Sequence, residues 1–173
     1  IVMNALVGLA VISFAREYEA PVMAIIALCQ AFLISMIAGL QIGPIPIGSS
    51  PFATLAEKFP TAPMIQAGII PTDGQGLNDL LRNYWMVIHP PVLFIGFASM
   101  IVPFAFAVTA LWKRQYKSWV RPALPWTLFA VMSLGVGIAL GGYWAYITLS
   151  FGGYWAWDPV ENSSLVPWLI GIA

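Results

Sequence analysis

Long apolar runs alternate with polar segments along this chain. Full-length runs occupy residues 20–42, 90–112 and 125–147, and shorter ones occupy residues 1–15 and 159–173. About 20 consecutive apolar residues are needed to cross a bilayer as an α-helix. The pattern therefore predicts an all-α, polytopic transmembrane helical bundle with about three complete and two partial spans and with external loops. Because both chain ends fall within apolar runs, we expect a single transmembrane domain over 1–173 that is a fragment of a longer protein.

The composition agrees with a membrane location. Only 8% of the residues are charged, 60% are hydrophobic, and the mean hydropathy is +0.85. A soluble domain has about 25% charged residues. The low charged fraction indicates the lipid bilayer as a partner. Seven basic and seven acidic residues balance, so the net charge indicates no nucleic-acid partner.

Basic residues are unevenly distributed between the connecting segments. Five of them fall on one side of the predicted membrane, namely Arg16, Lys113, Arg114, Lys117 and Arg121, whereas Lys58 and Arg82 fall on the other. Short loops rich in Lys and Arg face the cytoplasm. We therefore expect residues 43–89 and 148–162 to be external, which in a bacterium is the periplasmic face of the inner membrane.

The external segment 43–89 has two parts. Proline and glycine are frequent in residues 43–76, which predicts a loop. Residues 77–88 place apolar side chains at helical spacing and predict a short helix on the membrane surface. This helix would deliver His89, the only histidine of the chain, to the outer end of the third span, where Pro90 and Pro91 would begin the next helix.

Two interpretations of His89 stay open from the residues alone. A histidine at a helix end can be a cap or an interfacial polar residue. An ionisable group at membrane depth is more often functional, and a neutral imidazole is a good ligand for iron.

An aromatic segment precedes the last apolar run. The sequence GGYWAY at 141–146 is repeated 11 residues later as GGYWAW, which leads into DPVEN. Aromatic residues form belts at membrane interfaces, and Asp158, Pro159 and Glu161 suit the start of a helix with a capping box. Alternatively, the paired glycines and large rings form an apolar shelf for a flat cofactor.

Two long motifs carry a family resemblance. The sequence GGYWAWDPVENSSLVPWL, residues 152–169, resembles the tryptophan-rich WWD signature of the heme-handling proteins of cytochrome c biogenesis, a family that includes CcmF, NrfE and CcsA. The sequence LNDLLRNYWMVIHPPVLFIGFAS, residues 77–99, and SSPF, residues 49–52, are similar to segments of CcmF-like members. The motifs follow one another in the family's order.

The resemblance implies a heme lyase component. Members present heme on the outer membrane face and promote its thioether attachment to the CXXCH cysteines of apocytochrome c, together with other maturation subunits. The implied external heme platform, the WWD segment, contains Gly152, Gly153, Trp155, Trp157, Asp158, Glu161 and Asn162. His89 matches an axial ligand of a heme b within the membrane. The resemblance implies no catalytic acid, base or nucleophile, and the remaining ligand histidines are expected outside residues 1–173.

Two rival functions remain. A transporter segment would be expected to carry acidic or lysine side chains within its spans, and this chain lacks them. A structural membrane subunit would use Gly135, Gly137, Gly141 and Gly142 only for close helix packing, an interpretation that we favour for Gly135 and Gly137.

Overall fold

The computed structural model describes residues 7–11, 13, 15–69, 76–149 and 152–173. Its helices are α1 (Glu19–Ala38), α2 (Leu55–Lys58), α3 (Pro63–Gln66), α4 (Tyr84–Lys113), α5 (Val120–Thr148) and α6 (Pro159–Ile172), and its strands are β1 (Leu40–Ile42) and β2 (Ile45–Ile47). Single 3-10 turns occupy Arg16–Tyr18 and Asp79–Leu81. Residues 7–11 and 13 are also helical.

Three segments are long and apolar enough to cross a membrane, namely Arg16–Ala38, α4 and α5. This finding confirms the predicted all-α membrane bundle with three complete spans. Two compact units are present, one formed by Ile1–Ile26 with Leu77–Ala173 and the other by Ala27–Gly76. The prediction of one domain over 1–173 stays a prediction.

The second unit contains a β-hairpin that the sequence analysis did not predict. Helix α1 ends at Ala38, because Gly39 adopts a left-handed conformation with φ of 65°. Strands β1 and β2 then pair antiparallel with Leu40 opposite Ile47. The predicted span over 20–42 is therefore wrong in its last four residues. The predicted loop over 43–76 is interrupted by β2 and by the short helices α2 and α3. Pro46 is tolerated in β2, since a two-stranded sheet has only edge strands.

Close contact between α4 and α5 dominates the first unit. A Cβ added at Gly96 would lie 2.5 Å from the Cα of Leu134, and one added at Gly137 would lie 2.6 Å from the Cα of Leu93. Such distances require glycine, so the helix-packing interpretation of Gly137 is confirmed. Helix α6 packs on α5 through Trp168, whose indole Nε1 donates to the carbonyl of Val131 at 3.0 Å.

The start of α4 differs from the sequence prediction. Instead of a surface helix over 77–88 and a new helix at Pro90, one helix begins at Tyr84 and runs through both prolines. The Asn83 side chain accepts from the amide of Met86 at 3.0 Å and caps this start. Prolines inside a helix each remove one N–H donor, a loss that close packing of α4 on α5 can offset here. His89 therefore lies in the second turn of α4, not at its outer end.

Candidate functional site

His89 points from α4 towards α5. Its Nδ1 lies 3.0 Å from the carbonyl oxygen of Gly137. Its ring is nearly parallel to that of Trp144, with an interplanar angle of 11° and ring centroids 6.3 Å apart. Both contacts come from α5, so the packing of the two helices fixes the orientation of the imidazole.

The hydrogen bond to Gly137 determines the tautomer of His89. A carbonyl oxygen can only accept, so Nδ1 must carry the proton in this contact. In the neutral ring the lone pair then lies on Nε2, which becomes the nitrogen available to a metal. Metal-ligating histidines typically donate their other ring N–H to a carbonyl or carboxylate in this way.

Gly141 gives the imidazole its space. A Cβ added at this position would overlap the His89 ring, lying 2.9 Å from Nδ1 and 3.1 Å from Nε2. Because these contacts involve a ring already held by Gly137 and Trp144, the ring would have to move. Gly137, Gly141 and Trp144 were not predicted as site residues, although the GGYWAY repeat marked two of them as unusual.

The two aromatic repeats contact each other. Tyr146 of the first repeat stacks on Tyr154 of the second, with ring centroids 4.4 Å apart and an interplanar angle of 8°. A Cβ added at Gly142 would lie 3.0 Å from the carbonyl oxygen of Tyr154. The end of α5 therefore supports the WWD segment directly, and the small residue at 142 permits this approach.

Trp155 and Trp157 form the aromatic surface of the WWD segment. Their rings meet edge to face at 80°, with centroids 5.7 Å apart. Trp155 is half-buried, whereas Trp157 is 69% exposed. Trp157 also has a φ of 58°, in the left-handed region. Bulky residues rarely adopt this conformation, and it costs about 1–3 kcal/mol unless neighbouring contacts impose it.

Contacts from the first turn of α6 hold this backbone. The Glu161 carboxylate accepts from the amides of Ala156 and Trp157 at 2.6 and 2.8 Å. The Asn162 side chain donates to the carbonyl of Trp157 at 3.1 Å. Hydrogen bonds to a carboxylate are among the stronger ones. Glu161 and Asn162 therefore bind the backbone on both sides of the strained residue.

Asp158 begins α6 as predicted. Its Oδ1 accepts from the amide of Glu161 at 2.7 Å, and Pro159 is the first helical residue. The predicted capping box is wrong in one respect, because Glu161 reaches past the amide of Asp158 to the two preceding amides. The hydrogen-bonding capacity of Glu161 is thus used on the WWD segment instead of on its own helix cap.

Two buried indole donors have no acceptor among the described residues. These are Nε1 of Trp144, beside His89, and Nε1 of Trp155, in the WWD segment. A buried donor without a partner is uncommon and calls for a bound group or water. Each candidate region therefore has an unused N–H that suits an anionic or carbonyl oxygen.

The remaining predicted site residues have simpler surroundings. Gly152 has a φ of 70° with nothing within 4 Å of an added Cβ, so its role is conformational. Gly153 is half-buried. In the described part of the chain no group of three His, Cys, Asp or Glu residues forms a metal site, so His89 is a single candidate ligand.

The chain matches a known protein family over almost its full length. The model of the family described as "Cytochrome C assembly protein" matches residues 2–173. The chain belongs to the cytochrome c assembly protein family. This match confirms the family resemblance that the two motifs indicated, and it extends over nearly the whole chain.

Similar proteins within this family are CcmF and NrfE proteins. The chain is 44% identical to the cytochrome c-type biogenesis protein CcmF of Pseudomonas aeruginosa over 128 residues, covering 73% of this chain and 18% of that protein. It is 46% identical to CcmF of Escherichia coli over 126 residues, covering 72% of this chain and 18% of that protein. The chain therefore spans less than a fifth of these relatives.

A solved structure shows the same relationship. The cytochrome c heme lyase CcmF superposes with a TM-score of 0.64 at 30% identity, covering 98% of this chain and 25% of that chain. Together with the three segments that are long and apolar enough to cross a membrane, this likeness supports a multi-pass membrane protein of the cytochrome c assembly family.

Proposed function

We propose that this chain is the heme-presenting part of a cytochrome c heme lyase of the CcmF type. In this role it holds heme at the outer face of the bacterial inner membrane and supports covalent thioether attachment to the CXXCH cysteines of apocytochrome c. The exposed ring of Trp157, held on a strained backbone by Glu161 and Asn162, is the observation that carries the proposal. Strain maintained by neighbouring contacts is characteristic of functional sites.

The WWD segment fits a flat apolar group. Trp155 and Trp157 would contact the porphyrin face, and the unused Nε1 of Trp155 suits a propionate oxygen. Gly152, Gly153 and Asp158 shape the backbone and the helix start beside these rings. An exposed tryptophan supplies a large apolar surface for such a partner.

His89 would serve a second heme, a heme b within the membrane. With Nδ1 donating to Gly137, Nε2 would be the nitrogen that ligates the iron, and stacking on Trp144 would limit rotation of the ring. His89 is the only histidine of the chain, so this chain would offer the heme iron one imidazole.

These residues would contribute to the reaction by positioning the heme for the substrate cysteines. The thioether bonds form between the porphyrin vinyl groups and the cysteine thiols of the substrate. Holding the two partners in the correct geometry removes much of the entropic barrier. The partners of the proposed reaction are heme, apocytochrome c and the other cytochrome c maturation subunits, and no acid, base or nucleophile is assigned to this chain.

The visible spectrum of the purified native protein tests the proposal against its rivals. A heme-handling protein retains Soret absorbance after purification in mild detergent, and complementation of a strain lacking its own heme lyase restores covalent cytochrome c. A transporter or structural subunit gives neither result. Absence of both signals in protein that is correctly inserted in the membrane would refute the proposal.

A further inference from the structure

A cavity of about 510 Å³ opens between the N-terminal segment, α4 and α5. Its walls include Val11 and Ala15 from the N-terminal segment, Phe106 from α4, and Pro125 and Trp126 from α5, with Arg121 also on its lining. Typical small-molecule sites have volumes of roughly 300–1,000 Å³. The cavity thus has the size of a ligand site, and its lining residues include neither His89, nor the α5 residues around His89, nor any residue of the WWD segment.

The lining has a distinct chemical character. Its walls are apolar or aromatic, and Arg121 is the charged residue among those that line it. Apolar walls suit a hydrocarbon chain, whereas an exposed guanidinium suits a phosphate, which it can bind through two N–H groups. A ligand that matches both features has an acyl chain and an anionic head.

The surroundings of Arg121 are positively charged. Tyr18 Oη lies 2.6 Å from Ser118 Oγ, and Lys113 Nζ donates to the carbonyl oxygen of Glu17, so these two segments meet. The segments 16–19 and 113–121 together contain five basic and two acidic residues, a net charge of +3. Basic residues next to a membrane span attract anionic lipids, by about 1 kcal/mol for each cation near the surface.

The start of α5 adds to this positive potential. Trp119, at the N-cap, provides no side-chain hydrogen bond, and the first turn contains no acidic residue. The first backbone N–H groups of a helix lack partners within the helix and carry partial positive charge. In the first turn of α5 only Val120 and Arg121 can offer such donors, since Pro122 has no N–H, and no acidic residue there offsets their charge. The helix start therefore adds a modest attraction for an anion near Arg121.

We propose that this cavity binds a phospholipid with an anionic headgroup. One acyl chain lies along Ala10, Pro125 and Trp126, beside the buried core that contains Phe106, and the phosphate lies at Arg121. The lipid then fills the space between α4, α5 and the N-terminal segment and stabilises their packing at the basic end of the bundle. The assignment is independent of heme handling, since it uses neither His89 nor the WWD segment.

Native mass spectrometry of the native protein provides the test. Purified protein is titrated in detergent with phosphatidylglycerol and, separately, with phosphatidylcholine. We expect phosphatidylglycerol adducts to form at lower lipid concentration. Arg121→Gln should weaken phosphatidylglycerol binding by about fivefold, the equivalent of ~1 kcal/mol for one cation. Arg121→Lys should restore most of the affinity, and Lys117→Gln, in the same basic segment but outside the lining, should have little effect.

A second variant tests the acyl-chain part of the proposal. Ala10 lines the same cavity, and Ala10→Leu reduces its volume without changing any charge. We expect this variant to lose phosphatidylglycerol adducts and to retain its membrane level. Inorganic phosphate, added alone, should not displace the lipid.

Four results would overturn the assignment. These are equal binding of both lipids, equal losses in Arg121→Gln and Lys117→Gln, displacement by inorganic phosphate, and unchanged lipid binding in Ala10→Leu. Crosslinking from position 10 to another polypeptide instead of to lipid would also overturn it, because the cavity would then be a protein–protein contact.

Discussion

The Nδ1 of His89 donates a hydrogen bond to the carbonyl oxygen of Gly137, 48 residues later in the chain, at 3.0 Å. This contact links α4 to α5 and directs the lone pair of the neutral imidazole to Nε2. The same glycine allows α5 to approach Leu93. Gly137 thus both permits the close approach of α5 to α4 and determines the tautomer of His89.

Gly141→Ala tests whether the space around His89 matters. The added Cβ would overlap the imidazole, so the ring should rotate and lose its hydrogen bond. Changes in the residues that orient a metal ligand typically weaken metal affinity by roughly 10–100-fold. We expect heme b occupancy to fall and its reduction potential to shift, as measured by redox titration of the native protein. Ala139→Val, at an exposed position of the same helix, is the control, and equal effects in both variants would contradict the prediction.

His89→Ala tests axial ligation. Loss of the imidazole should abolish most heme b absorbance, whereas the hydrogen bond to Gly137 contributes only about 1 kcal/mol to folding. Membrane levels should therefore change little. His89→Cys should retain part of the heme with a thiolate-type spectrum. An unchanged spectrum in His89→Ala would make His89 a packing residue, and Val87→Ala, exposed on the same helix, provides the comparison.

Two substitutions of Glu161 test whether its hydrogen bonds hold the WWD segment in place. Glu161→Ala removes the acceptor for the amides of Ala156 and Trp157, whereas Glu161→Gln keeps an oxygen acceptor but loses the charge. We expect holocytochrome c yield to fall strongly in the first variant and partly in the second. Glu57→Ala is the matched control, because Glu57 also accepts a backbone amide at a helix start, that of Thr54 at 2.8 Å. Equal yields in all three variants would exclude this role of Glu161.

Membrane orientation can be tested with single cysteines in a Cys29→Ser background. A thiol reagent that does not cross the membrane should label Ser49→Cys and Ala156→Cys from outside, because the basic segment 113–121 is expected in the cytoplasm. Lys117→Cys should be labelled only after the membrane is opened. Labelling of position 117 alone in intact cells would reverse the orientation.

Sequence patterns located the apolar helices and the start of α6. Hydrophobic length placed the C-terminal ends of α4 and α5 within one residue but their starts five to six residues too late, and Asp158 caps α6 as its residue type predicts. The predicted start of α4 at Pro90 was wrong, because prolines such as Pro90 and Pro91 usually mark the first turn of a helix. Here the cap is Asn83, and the side-chain hydrogen bond from Asn83 Nδ2 to Thr148 Oγ1 at 2.6 Å is a tertiary contact that no local pattern shows.

The site depends on contacts between distant residues and on an unfavourable conformation. His89 and Gly137 meet only after α4 and α5 pack, so their relationship could not be inferred from spacing. A tryptophan predicts negative φ, and the left-handed backbone of Trp157 is imposed by Glu161 and Asn162. The motif named the residues of the WWD segment, whose role stays a prediction, and the geometry of the segment follows from these neighbours.

Trp157→Gly separates the ring of Trp157 from its backbone. Glycine adopts the observed φ of 58° without the penalty of about 1–3 kcal/mol that other residues pay. The variant should therefore fold and reach normal membrane levels while lacking the exposed ring. Trp112→Ala, which removes an equally exposed ring (76% exposed) at the basic end of α4, is the control for general loss of aromatic surface.

The yield of covalent holocytochrome c, measured at equal membrane levels of native protein, Trp157→Gly and Trp112→Ala, tests the heme-presenting role most directly. We predict a yield reduced at least several-fold in Trp157→Gly and near normal in Trp112→Ala. A normal yield in Trp157→Gly would contradict the heme-presenting role and would leave the aromatic rings of the WWD segment as an interface belt.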